Sequence, residues 1–110
     1  MLPREHRLTS GEDFRSATRH GRRAGTRTLV AHLWVPSEEL PARVGFVVSK
    51  AVGPAVTRNR VKRRLRHLAR EQVSSLPGSA VLVIRALPAS ADASYDELGR
   101  DLATALERIS

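Results

Sequence analysis

The sequence predicts one small α/β domain, an α+β sandwich with helices packed on a central mixed sheet. Three observations point to it: a length of 110 residues, three short apolar runs with strand character, and three segments with helix-start signals or helical spacing. The elements follow in the order αββαβα.

The first helix begins at Thr9-Ser10-Gly11-Glu12, a capping-box pattern in which hydroxyl and carboxylate satisfy exposed backbone donors, and it ends near Gly21. His20 to Arg27 is polar, basic and glycine-containing, and reads as a connection. Arg27 to Val35 has the β-branched and apolar content of a strand, closed by Pro36. A polar loop through Ser37, Glu38, Glu39 and Pro41 leads to a second strand, Arg43 to Ser49, carried by Val44, Phe46, Val47 and Val48. These two strands are expected to pair as a hairpin.

After Gly53 and Pro54 the period changes. Val61, Leu65 and Leu68 recur at helical spacing, so a helix is predicted from about Ala55 to Val73, with one narrow apolar face. Pro77 and Gly78 end it. Ala80 to Ala86 reads as a buried third strand built on Val81, Leu82, Val83 and Ile84. A second capping box, Ser94-Tyr95-Asp96-Glu97, opens a last helix with Tyr95, Leu98, Leu102, Leu106 and Ile109 along one side.

Composition narrows the function. The chain carries a formal net charge of +8 and a sequence pI near 11.5, which suits a polyanionic partner. The charge is localised: residues 1–71 hold sixteen Lys and Arg against six acids, and residues 72–110 hold three against five. From Leu40 through Arg70 there are nine basic residues and no acidic one. On the predicted helix Arg58, Lys62 and Arg66 step by four, and Arg60, Arg63, Arg64 and Arg70 fill neighbouring rows. Like charges at this spacing each cost about 0.2–0.5 kcal/mol, a repulsion that bound phosphates would relieve.

Several classes are excluded or disfavoured. The absence of cysteine removes thiolate metal sites, disulfides and cysteine nucleophiles. The apolar runs are too short to cross a bilayer, and the charged start, Arg4-Glu5-His6-Arg7, is not followed by a signal-like run, so the cytoplasm is the expected location. A membrane-surface helix would want a wider apolar face with aromatic anchors. A DNA-reading helix would be flanked by helices, whereas this one lies between strands. His6, His20, His32 and His67 share no motif, and Glu12-Asp13, Glu38-Glu39 and Asp96-Glu97 read as helix starts and a solvated loop, so neither a catalytic residue nor a metal ligand is assigned. Charge alone leaves a ribosomal or other structural RNA-binding protein as an alternative.

Motifs decide further. Arg43 to Arg66 reads RVGFVVSKAVGPAVTRNRVKRRLR, with Ser49-Lys50, Gly53, Ala55-Val56, Arg58-Asn59-Arg60 and Lys62-Arg63 in order. Arg7-Leu8, Glu12-Asp13-Phe14, His20-Gly21, Arg85 and Pro88-Ala89-Ser90 flank it. Over nearly its entire length the chain resembles the bacterial ribonuclease P protein family. The resemblance implies an accessory RNA-binding subunit of an endoribonuclease whose catalysis belongs to the RNA and its Mg2+, with no cofactor of the protein's own and no obligate protein partner. It implies that Arg58, Asn59, Arg60, Lys62, Arg63 and Arg66 dock on the catalytic RNA. It also implies a cleft for the single-stranded 5′ leader of precursor tRNA, here at Phe14, Val30, His32, Val48 and Lys50, and a left-handed βαβ crossover. The chain departs from the family pattern at Thr18, where a second phenylalanine is common, at His32 in place of tyrosine, and at Ala51 in place of lysine. Strand alternation allows either the row His32 with Val30 or the row Leu33 with Leu29 to line a cleft. Trp34 is read as a packing residue, and Phe14 can serve core or cleft.

Overall fold

A computed structural model describes residues 2–36 and 41–109. Its radius of gyration is 12.8 Å, matching the roughly 13 Å of a compact 100-residue domain. The expected elements appear in the expected order, with one short strand added: α1 (Gly11–His20), β1 (Arg22–Gly25), β2 (Leu29–Trp34), β3 (Arg43–Val47), α2 (Ala55–Gln72), β4 (Val81–Ala86) and α3 (Tyr95–Ile109). The loop expected at Ser37, Glu38 and Glu39 lies outside the described residues.

The added strand is β1, in the stretch read as a connection. Arg22-Arg23-Ala24-Gly25 contains no β-branched residue, so propensity does not reveal it. It forms because the chain turns back at once: the Thr26 N–H donates to the Leu29 carbonyl at 2.8 Å, and Arg22 to Gly25 pair antiparallel with Leu33 to Val30.

The expected hairpin is not formed. The sheet order is β1-β2-β4-β3, so β4 separates the two strands that were to pair. It runs antiparallel to β2, with Leu29 opposite Ala86 and Trp34 opposite Val81, and parallel to β3, with Arg43 opposite Val81 and Val47 opposite Arg85. The reason is burial. Val81, Leu82, Val83 and Ile84 are all fully buried, and a continuous apolar run belongs in a central strand covered on both faces. The helix α2 connects β3 to its parallel neighbour β4.

The two sheet faces are covered unequally. On one, Leu29, Ala31, Leu33, Val44, Leu82 and Ile84 join Val61 and Leu65 of α2 and Leu98 and Leu102 of α3 in the main core. Full burial of each such Leu, Ile or Val stabilises by about 1.5–3 kcal/mol. On the other, α1 places Ala17 and Phe14 beside Leu8, Val81, Val83, Trp34 and Val47. Trp34 is thus a packing residue, as expected.

Both predicted helix starts exist, each in altered form. In α1 the cap is Ser10, whose Oγ accepts the Asp13 N–H at 3.3 Å. The acid at the third helical position is therefore Asp13 rather than Glu12, and its carboxylate turns to Arg43 on β3, 2.6 Å away. In α3 the Ser94 Oγ accepts the Glu97 N–H at 3.0 Å, while the Glu97 carboxylate takes a bidentate pair from Arg27 at 2.8 and 2.9 Å. Tyr95 departs from the expected apolar stripe: Leu98, Leu102, Leu106 and Ile109 are buried, but Tyr95 is 37% exposed. The start of α2 follows from Gly53, at φ +150°, and Pro54, whose carbonyl accepts the Arg58 N–H at 3.0 Å.

Candidate nucleic-acid interface

The helix α2 buries Val61, Leu65 and Ala69, which turns its charged rows outward. Asn59, Arg63, Arg66, His67 and Arg70 are exposed, and Arg58, Lys62, Arg60 and Arg64 are half-buried along the flanks. The arginines divide into two groups that sequence spacing does not distinguish. Arg60 Nη2 donates to the Ala91 carbonyl at 2.8 Å and Arg64 Nη1 to the Ala93 carbonyl at 3.3 Å, so these two brace the segment leading into α3. Among the described residues the ion pairs are Asp13–Arg43 and Glu97–Arg27, with Glu5 also beside the His6 ring, and none of these contacts involves a cation of α2. Its positive charge stands without a carboxylate partner, the condition under which phosphate binding gains most.

The sheet face beneath α1 holds the second candidate region. Side chains alternate along β2, and Val30, His32 and Trp34 lie on this face while Leu29, Ala31 and Leu33 enter the main core. The row that faces α1 is therefore His32 with Val30, and both are buried. His32 is 6% exposed, and its Nδ1 is buried without a hydrogen-bond partner. Its pKa is lowered from the ordinary 6.5, first by burial and then by the charges of Arg85 and Arg23. Arg23 stands directly opposite His32 on β1, and Arg85 lies on β4 opposite Val30. Sequence reasoning did not single out Arg23, and it named Arg85 only as a flanking motif residue, with no place in the cleft. Arg85 has a legible signal, being the one charged residue in an otherwise apolar strand.

Not every predicted cleft residue is on this face. Val48 packs with Phe46 against the main core, and Val47 takes the position facing Phe14 and Trp34. The phase of alternation puts Val47, not Val48, in register with Arg85. Lys50 is exposed in the turn between β3 and α2, where its carbonyl accepts the Gly53 N–H at 3.1 Å.

Phe14 does reach a cavity. Its ring lies against Gly45 so closely that a Cβ there would stand 2.8 Å from Leu8 Cδ2 and nearer still to the ring. Beside it a cavity of about 410 Å3 opens at the β3 edge, lined also by Arg7, Phe46, Lys62 and Arg66. The fold thus brings Phe14 together with two cations of α2 that the sequence placed in a separate site, and adds Arg7. An aromatic ring within a positive groove is the chemistry that holds single-stranded nucleic acid. Thr18, where an aromatic is common, directs its hydroxyl to the carbonyls of Phe14 and Arg15 at 3.1 and 3.0 Å.

Among the described residues no group of three or more His, Asp or Glu side chains is placed to hold a metal ion, and no helix is long and apolar enough to cross a membrane.

Comparison with known proteins agrees with this chemistry. The ribonuclease P protein components of Nocardioides sp. and Streptomyces avermitilis are 67% and 53% identical to this chain, each alignment covering 99% of the chain and 95% of the relative. The fold is similar to that of the RNase P protein from Staphylococcus aureus, with a TM-score of 0.82, 24% identity and 93% of each chain covered. It is also similar to the RNase P protein from Thermotoga maritima, with a TM-score of 0.79, 22% identity, and 94% and 97% covered. The family model for ribonuclease P matches residues 2–110, and the chain belongs to the ribonuclease P protein family.

Proposed function

We propose that this subunit of ribonuclease P docks on the catalytic RNA with the outer face of α2 and holds the 5′ leader of precursor tRNA against the sheet face and α1. The RNA is the family partner and performs the cleavage. The leader role is this chain's contribution to substrate choice: by gripping nucleotides that mature tRNA lacks, the protein raises affinity for the precursor alone. Magnesium serves the RNA in this scheme, and the setting is the cytoplasm.

The observation that carries the proposal is the cavity shared by Phe14, Lys62, Arg66 and Arg7, because it joins a stacking surface to the uncompensated charge of α2. Arg23 and Arg85 extend positive character across the sheet on either side of His32, whose own charged form they disfavour. Arg58, Asn59 and Arg63 lie along the remaining helix surface, available to the RNA. Arg60 supports this surface indirectly through Ala91.

The test is cleavage of a 5′-extended precursor tRNA by a bacterial ribonuclease P RNA at low magnesium, with and without the protein. Stimulation is expected. Phe14→Ala should raise KM for the precursor by about 5- to 150-fold, the equivalent of one lost stacking contact, and leave binding of mature tRNA unchanged. Equal effects on precursor and mature tRNA would overturn the leader assignment, and absence of stimulation with tight RNA binding would favour a structural RNA-binding role.

A further inference from the structure

Beyond the basic residues, the outer side of α2 carries an aromatic feature that phosphate contacts leave unexplained. A groove of about 690 Å3 runs between α2 and the start of α3, lined by Asn59, Lys62, Arg63, Arg66, His67 and Tyr95, together with Arg64. Its volume is in the range of about 300–1,000 Å3 that accommodates an organic ligand. No acidic side chain lines it.

Tyr95 is 37% exposed although it opens a helix whose other large apolar residues are buried. Its hydroxyl and His67 Nδ1 share a hydrogen bond at 2.8 Å, with ring centroids 6.1 Å apart and planes tilted by 47°. The pair is held in place from below. Arg64 braces Ala93, two residues before Tyr95, and Arg60 braces Ala91. A solvent-facing tyrosine fixed by an imidazole and surrounded by cations is a preorganised surface for a flat, anionic ligand.

We infer that the groove between α2 and α3 binds a single unstacked nucleotide of the catalytic RNA, its base against Tyr95 and His67 and its phosphates on Arg63, Arg66 and Lys62. Charge complementarity selects nucleic acid, and the exposed ring selects a base free of its helix, because a paired base offers no face. The inference rests on reading α2 as the RNA-docking helix and adds to it a contact that is not ionic.

That difference supplies the test. Binding of the full-length protein to ribonuclease P RNA of Nocardioides sp. would be measured across a salt series for wild type, Tyr95→Ala, Tyr95→Phe and Arg63→Ala, with melting curves to establish folding. Tyr95→Ala should weaken binding by about 5- to 150-fold at every salt concentration and leave the salt slope unchanged. Tyr95→Phe, which keeps the ring, should bind within about twofold of wild type. Arg63→Ala should reduce the slope by about 0.7–0.9. Chemical probing of the RNA should show one nucleotide whose reactivity changes with wild type and Tyr95→Phe and not with Tyr95→Ala. Wild-type affinity in Tyr95→Ala alongside a reduced slope in Arg63→Ala would overturn the nucleotide site alone. Loss in Tyr95→Phe equal to that in Tyr95→Ala would assign the effect to the hydroxyl and overturn stacking. Wild-type slope and affinity in Arg63→Ala would remove α2 as the docking helix.

Discussion

Replacing Gly45 by alanine adds one methyl group, and the structure specifies what it meets. The new Cβ would lie 2.8 Å from Leu8 Cδ2 and closer to the edge of the Phe14 ring. Leu8 can rotate away. Phe14 cannot move without leaving its contacts with Val81, Val83 and Trp34, so the ring or the strand must shift. Overpacking of this kind costs about 1–3 kcal/mol. Alanine recovers part of that, since glycine within a strand is disfavoured by about 0.5–1 kcal/mol, but a contact this short makes the steric loss the larger effect. At about 4–8 °C per kcal/mol for a small domain, the midpoint of thermal unfolding should fall by several degrees. A double-mutant cycle isolates the cause: in a Phe14→Ala background the methyl group meets only the end of the Leu8 side chain, which can turn into the space the ring has left, and Gly45→Ala should become neutral or slightly stabilising, giving a coupling of about 1–3 kcal/mol. The assay is urea unfolding of the four proteins. Equal losses from Gly45→Ala in both backgrounds would refute the reasoning.

Further expectations follow from other contacts. The fold lowers the His32 pKa below 6.5, so between the folded value and 6.5 the unfolded chain binds more protons. Stability attributable to His32 is therefore present above about pH 6.5 and declines as pH falls through that window; His32→Leu should flatten this part of the urea-midpoint profile, and an unchanged slope would argue against it. Sulfate at matched ionic strength should raise the melting temperature by relieving repulsion along α2, the gain in stability being about 1.4 kcal/mol at ten times its dissociation constant. Melting curves insensitive to the anion would place the anion affinity of this helix below the useful range. Asp101 accepts hydrogen bonds from both the N–H and the hydroxyl of fully buried Thr28, so Asp101→Ala should cost about 1–3 kcal/mol, and Asp101→Asn less, in chemical denaturation.

The helices were legible because their patterns are local. Val61 and Leu65 mark the buried side of α2, and Leu98, Leu102 and Leu106 that of α3, through spacing alone. Strand partners were not, because pairing is settled by residues far apart in sequence: β4 displaces the expected hairpin only once its burial on both faces is weighed against β2 and β3. The same limit applies to the site. Sequence located the basic helix, but Arg60 and Arg63 look alike until the positions of Ala91 and Ala93 are known. Val48 came from the family resemblance by position, and the apolar run Phe46-Val47-Val48 carries no phase that would point to Val47 instead. Arg23 was hidden with β1, whose pairing with β2 depends on a turn and not on propensity.

The central place of β4 governs when this molecule can exist as a folded body. Its partners β2 and β3 make no ladder with each other, so until residue 86 is present the sheet consists of a two-stranded ribbon and a lone strand, arrangements of marginal stability. During synthesis the whole acid-free segment through Arg70 is therefore made before the strand that organises it. Closure is a late event that fastens Trp34 to Val81 and Arg43 to the same residue in one step, across long stretches of chain. A chain stopped near residue 80 retains nearly all of the positive charge and none of the architecture that aims it.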